Sequence, residues 1–173
     1  MIHLYLSLGT NQGDRSKNLE EAIQRLDDAF GRKVESVSEI IETQAWGFDG
    51  EPFLNCAVMY ALPRKRQTVE AQALEILAEL KRIEREMGRN EVLEFDGEGR
   101  RVYHSRVIDI DILFFGTHQV CLPELTIPHP LIAERDFVKI PLSQIAKPAL
   151  KASFSALFHK HLEKQQHTGI SNL

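Results

Sequence analysis

The sequence predicts an α+β fold in which helices cover one face of an antiparallel sheet, and three observations carry that expectation. The apolar period switches between two and about 3.6 residues along the chain. The segments so defined follow the order strand, helix, strand, strand, helix, strand. The composition, 43% hydrophobic and 27% charged in 173 residues, is that of one soluble globular domain with a core of its own. This order is the β-α-β-β-α-β pattern of a ferredoxin-like sandwich, here with extra helices toward the C-terminus.

Ile2, Leu4, Leu6 and Leu8 alternate with more polar residues, the period of a half-buried strand that ends at the Gly9 to Gly13 turn. From Asp14 the spacing of Leu19, Ala22, Ile23, Leu26 and Phe30 is helical, with Asp14 or Ser16 as cap and Gly31 as stop. Val34 to Thr43 and Leu54 to Leu62 read as strands, separated by a loop rich in Gly and Pro. Thr68 to about Met87 is a second amphipathic helix closed by Gly88. A strong strand follows at about Arg106 to Phe115, after a charged, glycine-broken loop from Arg89 to Ser105 that is a candidate lid. Next come a short extended piece to Pro128, a proline-bounded turn, an apolar run from Phe137 to Ile145, and a terminal helix from Ser153. The whole chain, 1–173, reads as one domain, with a core over about 2–146 and a helical tail over about 150–173.

The charge balance, 21 Lys and Arg against 25 Asp and Glu for a net of −4, leaves no broad basic footprint for a nucleic acid. Cys56 and Cys121 are the only cysteines and form no C-x-x-C pair, so neither a disulfide framework nor a zinc knuckle is expected. No stretch approaches the ~20 apolar residues of a membrane span, and a soluble cytoplasmic protein is expected.

The strongest chemical signal is Arg106-Val-Ile-Asp109-Ile-Asp111-Ile-Leu-Phe-Phe115. On a strand, residues two apart point the same way, so Asp109 and Asp111 stand side by side while Ile108, Ile110 and Ile112 take the opposite face. Two like charges in an apolar strand need compensation. A Mg²⁺ ion supplies it, completing its shell with water and phosphate oxygens; a salt-bridged pair with Arg106 is the plainer reading, and the apolar run favours metal. Glu84 falls inside the buried arc set by Leu80 and Met87, so its carboxylate needs partners: an ion pair with Arg85 or Lys81, or a part in the site. Arg89, Arg106, Arg135 and His129 could meet a polyphosphate with guanidinium groups, since neither a Walker A run nor a G-x-G-x-x-G is present. The Gly9-Thr-Asn-Gln-Gly13 turn reads as a plain connection. Pro128-His129-Pro130 holds a histidine in a rigid turn. Trp46, Phe48 and Phe53 near Asn55 could sandwich a flat heterocycle, although core aromatics explain them as well. His159, His161 and His167 belong to a solvated tail.

Taken together, Leu8-Gly9-Thr10-Asn11, Glu42-Thr43 with Phe53-Leu54-Asn55, Glu84 with Gly88-Arg89, Arg106-x-x-Asp109-x-Asp111-Ile112-Leu113, and Pro128-His129 with Arg135-x-Phe137 resemble the 6-hydroxymethyl-7,8-dihydropterin pyrophosphokinases of folate biosynthesis. The resemblance spans about residues 4–146. It implies a ferredoxin-like fold, ATP as co-substrate, and transfer of a diphosphate to the pterin hydroxymethyl group with release of AMP. It also implies that Asp109 and Asp111 ligate two Mg²⁺ ions and act with Arg89 and Arg106 as the catalytic set. Thr43, Trp46, Phe53, Asn55 and Phe137 match pterin-pocket positions, with Phe53 and Phe137 stacking and Asn55 reading the ring edge. Arg89, Arg106, His129 and Arg135 match ATP contacts, Ile112 and Thr126 sit where the family lines its nucleotide pocket, and Leu77 and Lys81 are expected to border it. Where family members often carry Arg-Trp-Gly-Pro-Arg, this chain reads Val102-Tyr103-His104-Ser105-Arg106. Tyr103 is expected to replace the tryptophan of the lid, and Arg100 or Arg101 a loop arginine. Glu124 stands where some members have an arginine near the adenine.

The reaction so implied is in-line attack by the pterin hydroxyl on the β-phosphorus, driven by alignment and charge neutralisation and needing no covalent nucleophile. Small-molecule substrates, no nucleic acid, no membrane and a monomer are expected. A non-catalytic pterin- or nucleotide-binding module and a metal-dependent phosphohydrolase are the alternatives.

Overall fold

β1 (Ile2–Thr10) is the strand on which the sheet is assembled, in a computed structural model that describes residues 1–45, 49–89, 97–99 and 105–159. The elements that follow are α1 (Arg15–Phe30), β2 (Ser36–Val37), β3 (Ile41–Thr43), β4 (Phe53–Leu62), α2 (Val69–Glu86), β5 (Asp109–Phe115), β6 (Val120–Leu122), β7 (Leu125–Ile127), α3 (Asp136–Ile145), α4 (Pro148–Ser153) and α5 (Ser155–His159). The main sheet runs β2-β4-β1-β5, β3 also pairs with β4, and every one of these pairings is antiparallel. β6 and β7 form a separate hairpin within the stretch expected to be merely extended.

The helix boundaries follow local chemistry. Asp14 caps α1 by accepting the Lys17 N–H at 3.2 Å, and Gly31, with φ at 60°, closes it in a left-handed conformation that costs a glycine little. Thr68 caps α2 by accepting the Ala71 N–H at 3.1 Å. The segment expected as one strand over 34–43 is two short ones. Between them Ser38 donates its N–H to Ala57 O, while its hydroxyl accepts the Ala57 N–H at 2.8 Å. A side chain has thus taken the place of a ladder carbonyl, which interrupts the strand.

The largest departure concerns the second face of the sheet. Helices α1 and α2 cover the first face, where Leu4, Leu6, Leu8, Val58, Ile110 and Ile112 are buried with Leu19, Leu26, Leu80 and Ile83. Instead of half-buried strands, Tyr5, Met59, Leu113 and Phe114 form another core on the opposite face with Val138, Leu142 and Leu150, so α3 and α4 close that side. A bulge makes this possible. The β1–β5 register passes from Tyr5 opposite Phe114 to Leu6 opposite Ile112, leaving Leu113 unpaired. The extra residue lets Leu113 and Phe114 enter the same core, while Phe115 returns to the first. β5 also begins three residues later than its apolar run suggested, because the backbone of Arg106 is bonded to Asn11 instead of to a strand. The terminal helix is present as α4 and α5; the remainder of the tail, including His161 and His167, lies outside the described residues.

Phe114 is 0% exposed and meets Tyr5 edge-on at 6.4 Å and Phe154 at 4.8 Å between ring centroids. Phe114→Ala is expected to lower unfolding stability by about 3–5 kcal/mol in urea titration; a loss below about 1 kcal/mol would show that the second face is not a packed core.

Candidate active site

Register builds the floor of the site. Gly9 of β1 lies between Asn55 of β4 and Asp109 of β5, and Ser7 lies between Ala57 and Asp111. Ser7, Gly9, Asn55, Asp109 and Asp111 all face a cavity of about 280 Å³. Ile108, Ile110 and Ile112 alternate with the aspartates and are buried on the other face, as the period of two requires.

One half of the cavity is charged. Asp109 lies between two guanidiniums, with Arg89 Nη1 2.8 Å from Oδ1 and Arg106 Nη1 2.7 Å from Oδ2. Burial alone would raise its pKa, but the charges of Arg106 and Arg89 outweigh burial and hold the carboxyl below the ordinary aspartate value. Asp111 differs: burial first, then the charge of Asp109, push its pKa up, and its ion pair with Arg135 is long, at 4.0 Å.

Beneath this pair, Glu84 of α2 is 0% exposed. It accepts the Ile110 N–H at 2.7 Å and pairs with Lys81 Nζ at 2.9 Å and with Arg89. Burial is the largest influence on this carboxyl and raises its pKa. The two readings open from its helical position therefore converge, since its partners Lys81 and Arg89 both line the cavity.

His129 is placed by the β5 bulge: its N–H donates to the carbonyl of unpaired Leu113 at 3.0 Å. Its Nδ1 accepts the Leu131 N–H at 3.2 Å, which assigns the ring hydrogen of the neutral form to Nε2. Burial lowers its pKa, so at neutral pH the ring is an uncharged donor.

The other half is aromatic and amide-lined. Asn55, 3% exposed, donates Nδ2–H to Thr43 Oγ1 at 2.8 Å, and Phe53 and Phe137 complete the wall. Gly9 keeps this half open, because a Cβ there would lie 3.1 Å from Asn55 Oδ1 and 3.6 Å from a Phe53 ring carbon. Arg135 lies at the junction, its guanidinium carbon 5.7 Å from the Phe137 ring centroid.

Eleven of the residues singled out from the sequence thus line one cavity: Thr43, Phe53, Asn55, Lys81, Arg89, Arg106, Asp109, Asp111, His129, Arg135 and Phe137. Leu77, Ile112 and Thr126 are not among its lining residues. Ile112 is 3% exposed on the opposite face of β5, Leu77 packs on the same core from α2, and Thr126 faces solvent between buried Leu125 and Ile127. Trp46, Phe48, Arg100, Arg101 and Tyr103, with most of the expected lid, lie outside the described residues.

Sequence reasoning missed Ser7, Gly9, Gln44 and Leu131 in the lining. A signal existed for Ser7, the polar member of Leu6-Ser7-Leu8. It also undervalued Asn11. That residue is 3% exposed and donates Nδ2–H to Glu51 O at 3.0 Å and to Ser105 Oγ at 3.1 Å, while Oδ1 accepts the Arg106 N–H at 2.7 Å. The turn read as a plain connection therefore ties Arg106 to the segment entering β4.

Among the described residues no group of three or more His, Cys, Asp or Glu converges to hold a metal. The two carboxylates nevertheless fit a hard divalent cation whose other positions are filled by water and substrate oxygens. Each carboxylate oxygen has more than one lone pair, so Asp109 can accept from its arginines and still ligate.

Residues 5–147 match the family model described as 7,8-dihydro-6-hydroxymethylpterin-pyrophosphokinase (HPPK). The chain is 41% identical over 148 residues to a 2-amino-4-hydroxy-6-hydroxymethyldihydropteridine pyrophosphokinase of Porphyromonas gingivalis, covering 84% of this chain and 92% of that one. It is 34% identical over 146 residues to the protein of the same name from Aquifex aeolicus, covering 84% and 81%. In fold it is similar to a chain from a crystal structure of HPPK-DHPS in complex with substrates, with a TM-score of 0.63 at 15% identity over 99% of this chain and 45% of the other.

The raised pKa of Asp111 has a consequence for stability. A carboxyl whose folded pKa exceeds its unfolded one contributes stability that is present below the unfolded value and lost as pH rises through the folded one. In ligand-free protein at pH 7, Asp111→Asn is therefore expected to melt at a higher temperature than the wild type. The gain should shrink as pH falls through the folded value and vanish below about 4, where the unfolded aspartate is protonated as well. A wild-type protein more stable than the variant at pH 7 would refute the assignment.

Proposed function

The chain belongs to the 7,8-dihydro-6-hydroxymethylpterin-pyrophosphokinase family, and on that premise we propose how its cavity performs the reaction. The activity is that of a transferase of folate biosynthesis, a 2-amino-4-hydroxy-6-hydroxymethyldihydropteridine pyrophosphokinase that uses ATP as co-substrate. The observation that carries the site assignment is the juxtaposition, in one cavity, of the Asp109–Asp111 pair and its cations with the Thr43, Phe53, Asn55 and Phe137 wall.

Phe53 and Phe137 stack the pterin, and Asn55, oriented by Thr43, reads its edge. Arg89, Arg106, Arg135 and Lys81 meet the polyphosphate, and His129 donates from Nε2 to a phosphate oxygen. Asp109 and Asp111 would hold two Mg²⁺ ions, which would neutralise phosphate charge and acidify the acceptor hydroxyl. With both substrates aligned, the hydroxyl oxygen forms its bond to the β-phosphorus. The bridging bond from that phosphorus to the α-phosphate oxygen breaks, AMP leaves, and the hydroxyl proton passes to water. The cations of the cavity stabilise charge as it shifts to the leaving phosphate. No covalent nucleophile is involved.

The sheet order supports a ferredoxin-like core with β2 and β3 as halves of one strand. The chain is read as a single-domain monomer of the cytoplasm. No helix of the described residues is long and apolar enough to cross a membrane.

Incubation with MgATP and 6-hydroxymethyl-7,8-dihydropterin should give AMP and pterin diphosphate in equal amounts by nucleotide chromatography. ADP would overturn the reading, phosphate released without pterin would identify a phosphohydrolase, and binding without AMP a non-catalytic module. Asp109→Asn and Asp111→Asn should each lower turnover by about 10²–10³-fold or more while the protein stays folded; wild-type turnover in either would remove that residue from the metal site.

A further inference from the structure

We propose that Arg15, the first residue of α1, is a positioning residue for the acceptor half of the cavity. This rests on the pyrophosphokinase reading above. Its Nη1 donates to Pro52 O at 2.7 Å, and its Nη2 pairs with the Glu42 carboxylate at 2.8 Å. Those partners immediately precede Phe53 and Thr43, which are opposite each other in the β3–β4 register and line the cavity.

Among the described residues β3 is a three-residue strand that pairs with β4 alone, so its open end is weakly fixed by the ladder. One guanidinium spans that opening and ties both sides to α1, which Leu19, Ala22 and Leu26 root in the core. Asn11 secures the neighbouring carbonyl, Glu51 O, from the same turn. The Glu42 side chain is 55% exposed, and an exposed ion pair contributes little to overall stability. The effect of Arg15 therefore falls on the spacing of Thr43 and Phe53, where the acceptor ring sits.

The test measures dissociation constants for α,β-methylene-ATP, which resists cleavage of the transferred diphosphate, and for 6-hydroxymethyl-7,8-dihydropterin with that analogue saturating. Arg15→Ala should weaken pterin binding about tenfold, while nucleotide binding stays within about twofold and turnover at saturating pterin is kept. Arg15→Lys, able to reach one partner, should recover part of the loss, and Glu42→Ala added to Arg15→Ala should cost nothing more. Pterin binding within about twofold of wild type, or an equal loss for both ligands, would overturn the proposal. A wild-type protein that binds neither ligand would instead overturn the pyrophosphokinase reading.

Discussion

The hydrogen-bonded register of β1 between β4 and β5 is the constraint on which the rest of the structure depends. It sets Asn55, Gly9 and Asp109 in one row and Ala57, Ser7 and Asp111 in another, so the amide of one half and the carboxylates of the other are spaced by a ladder. Because side chains alternate with a period of two, a one-residue slip of β1 would turn Leu6 and Leu8 into the cavity and Ser7 and Gly9 into the core. Burial of those leucines at 0% exposure therefore specifies the site as firmly as it specifies the fold. Reacting groups carried on such strands are held more closely than loops could hold them.

The electrostatics build on that geometry. Three carboxylates, Glu84, Asp109 and Asp111, gather where burial disfavours the charge of each. Glu84 is satisfied from within the protein by Lys81, Arg89 and the Ile110 N–H, which fixes two cations at the cavity wall. Asp109 occupies Arg89 and Arg106. A polyanion arriving with its metal would exchange partners on both sides at once, phosphate oxygens taking the guanidiniums as the cation takes the carboxylates. No buried charge is then stranded during binding, the condition under which buried ion pairs are costly.

What the sequence made legible were features that follow from period. The alternation of Asp109 and Asp111 with isoleucines, and the helical angle of Glu84 relative to Leu80 and Met87, each placed a carboxylate on the correct face before any coordinates. Features that depend on a distant partner were not legible. Nothing local says that Asn11 and Arg15 capture carbonyls of residues 51 and 52, or that a Ser38 hydroxyl interrupts a strand by bonding Ala57. The second core escaped for a related reason. A period of two assigns Phe114 to the face of Ile112, and only the unpaired Leu113 reverses it. Ile112 and Thr126 were matched by motif; Ile112 is buried on the opposite face of β5, and Thr126 is exposed on β7 outside the cavity lining.

That bulge also joins stability to the site. By leaving Leu113 out of the ladder it supplies two apolar residues to the second core and frees a carbonyl that receives His129. The core so formed seats α3 through Val138 and Leu142, and the start of α3 brings Arg135 and Phe137 to the cavity. The helices of the second face are therefore more than a cover for apolar strands: the start of α3 supplies one aromatic ring and one guanidinium to the cavity wall. Loosening that core would move one wall of the site, with Arg135 and Phe137, against a floor held by β1, so disturbance of packing there should reach the reaction through alignment.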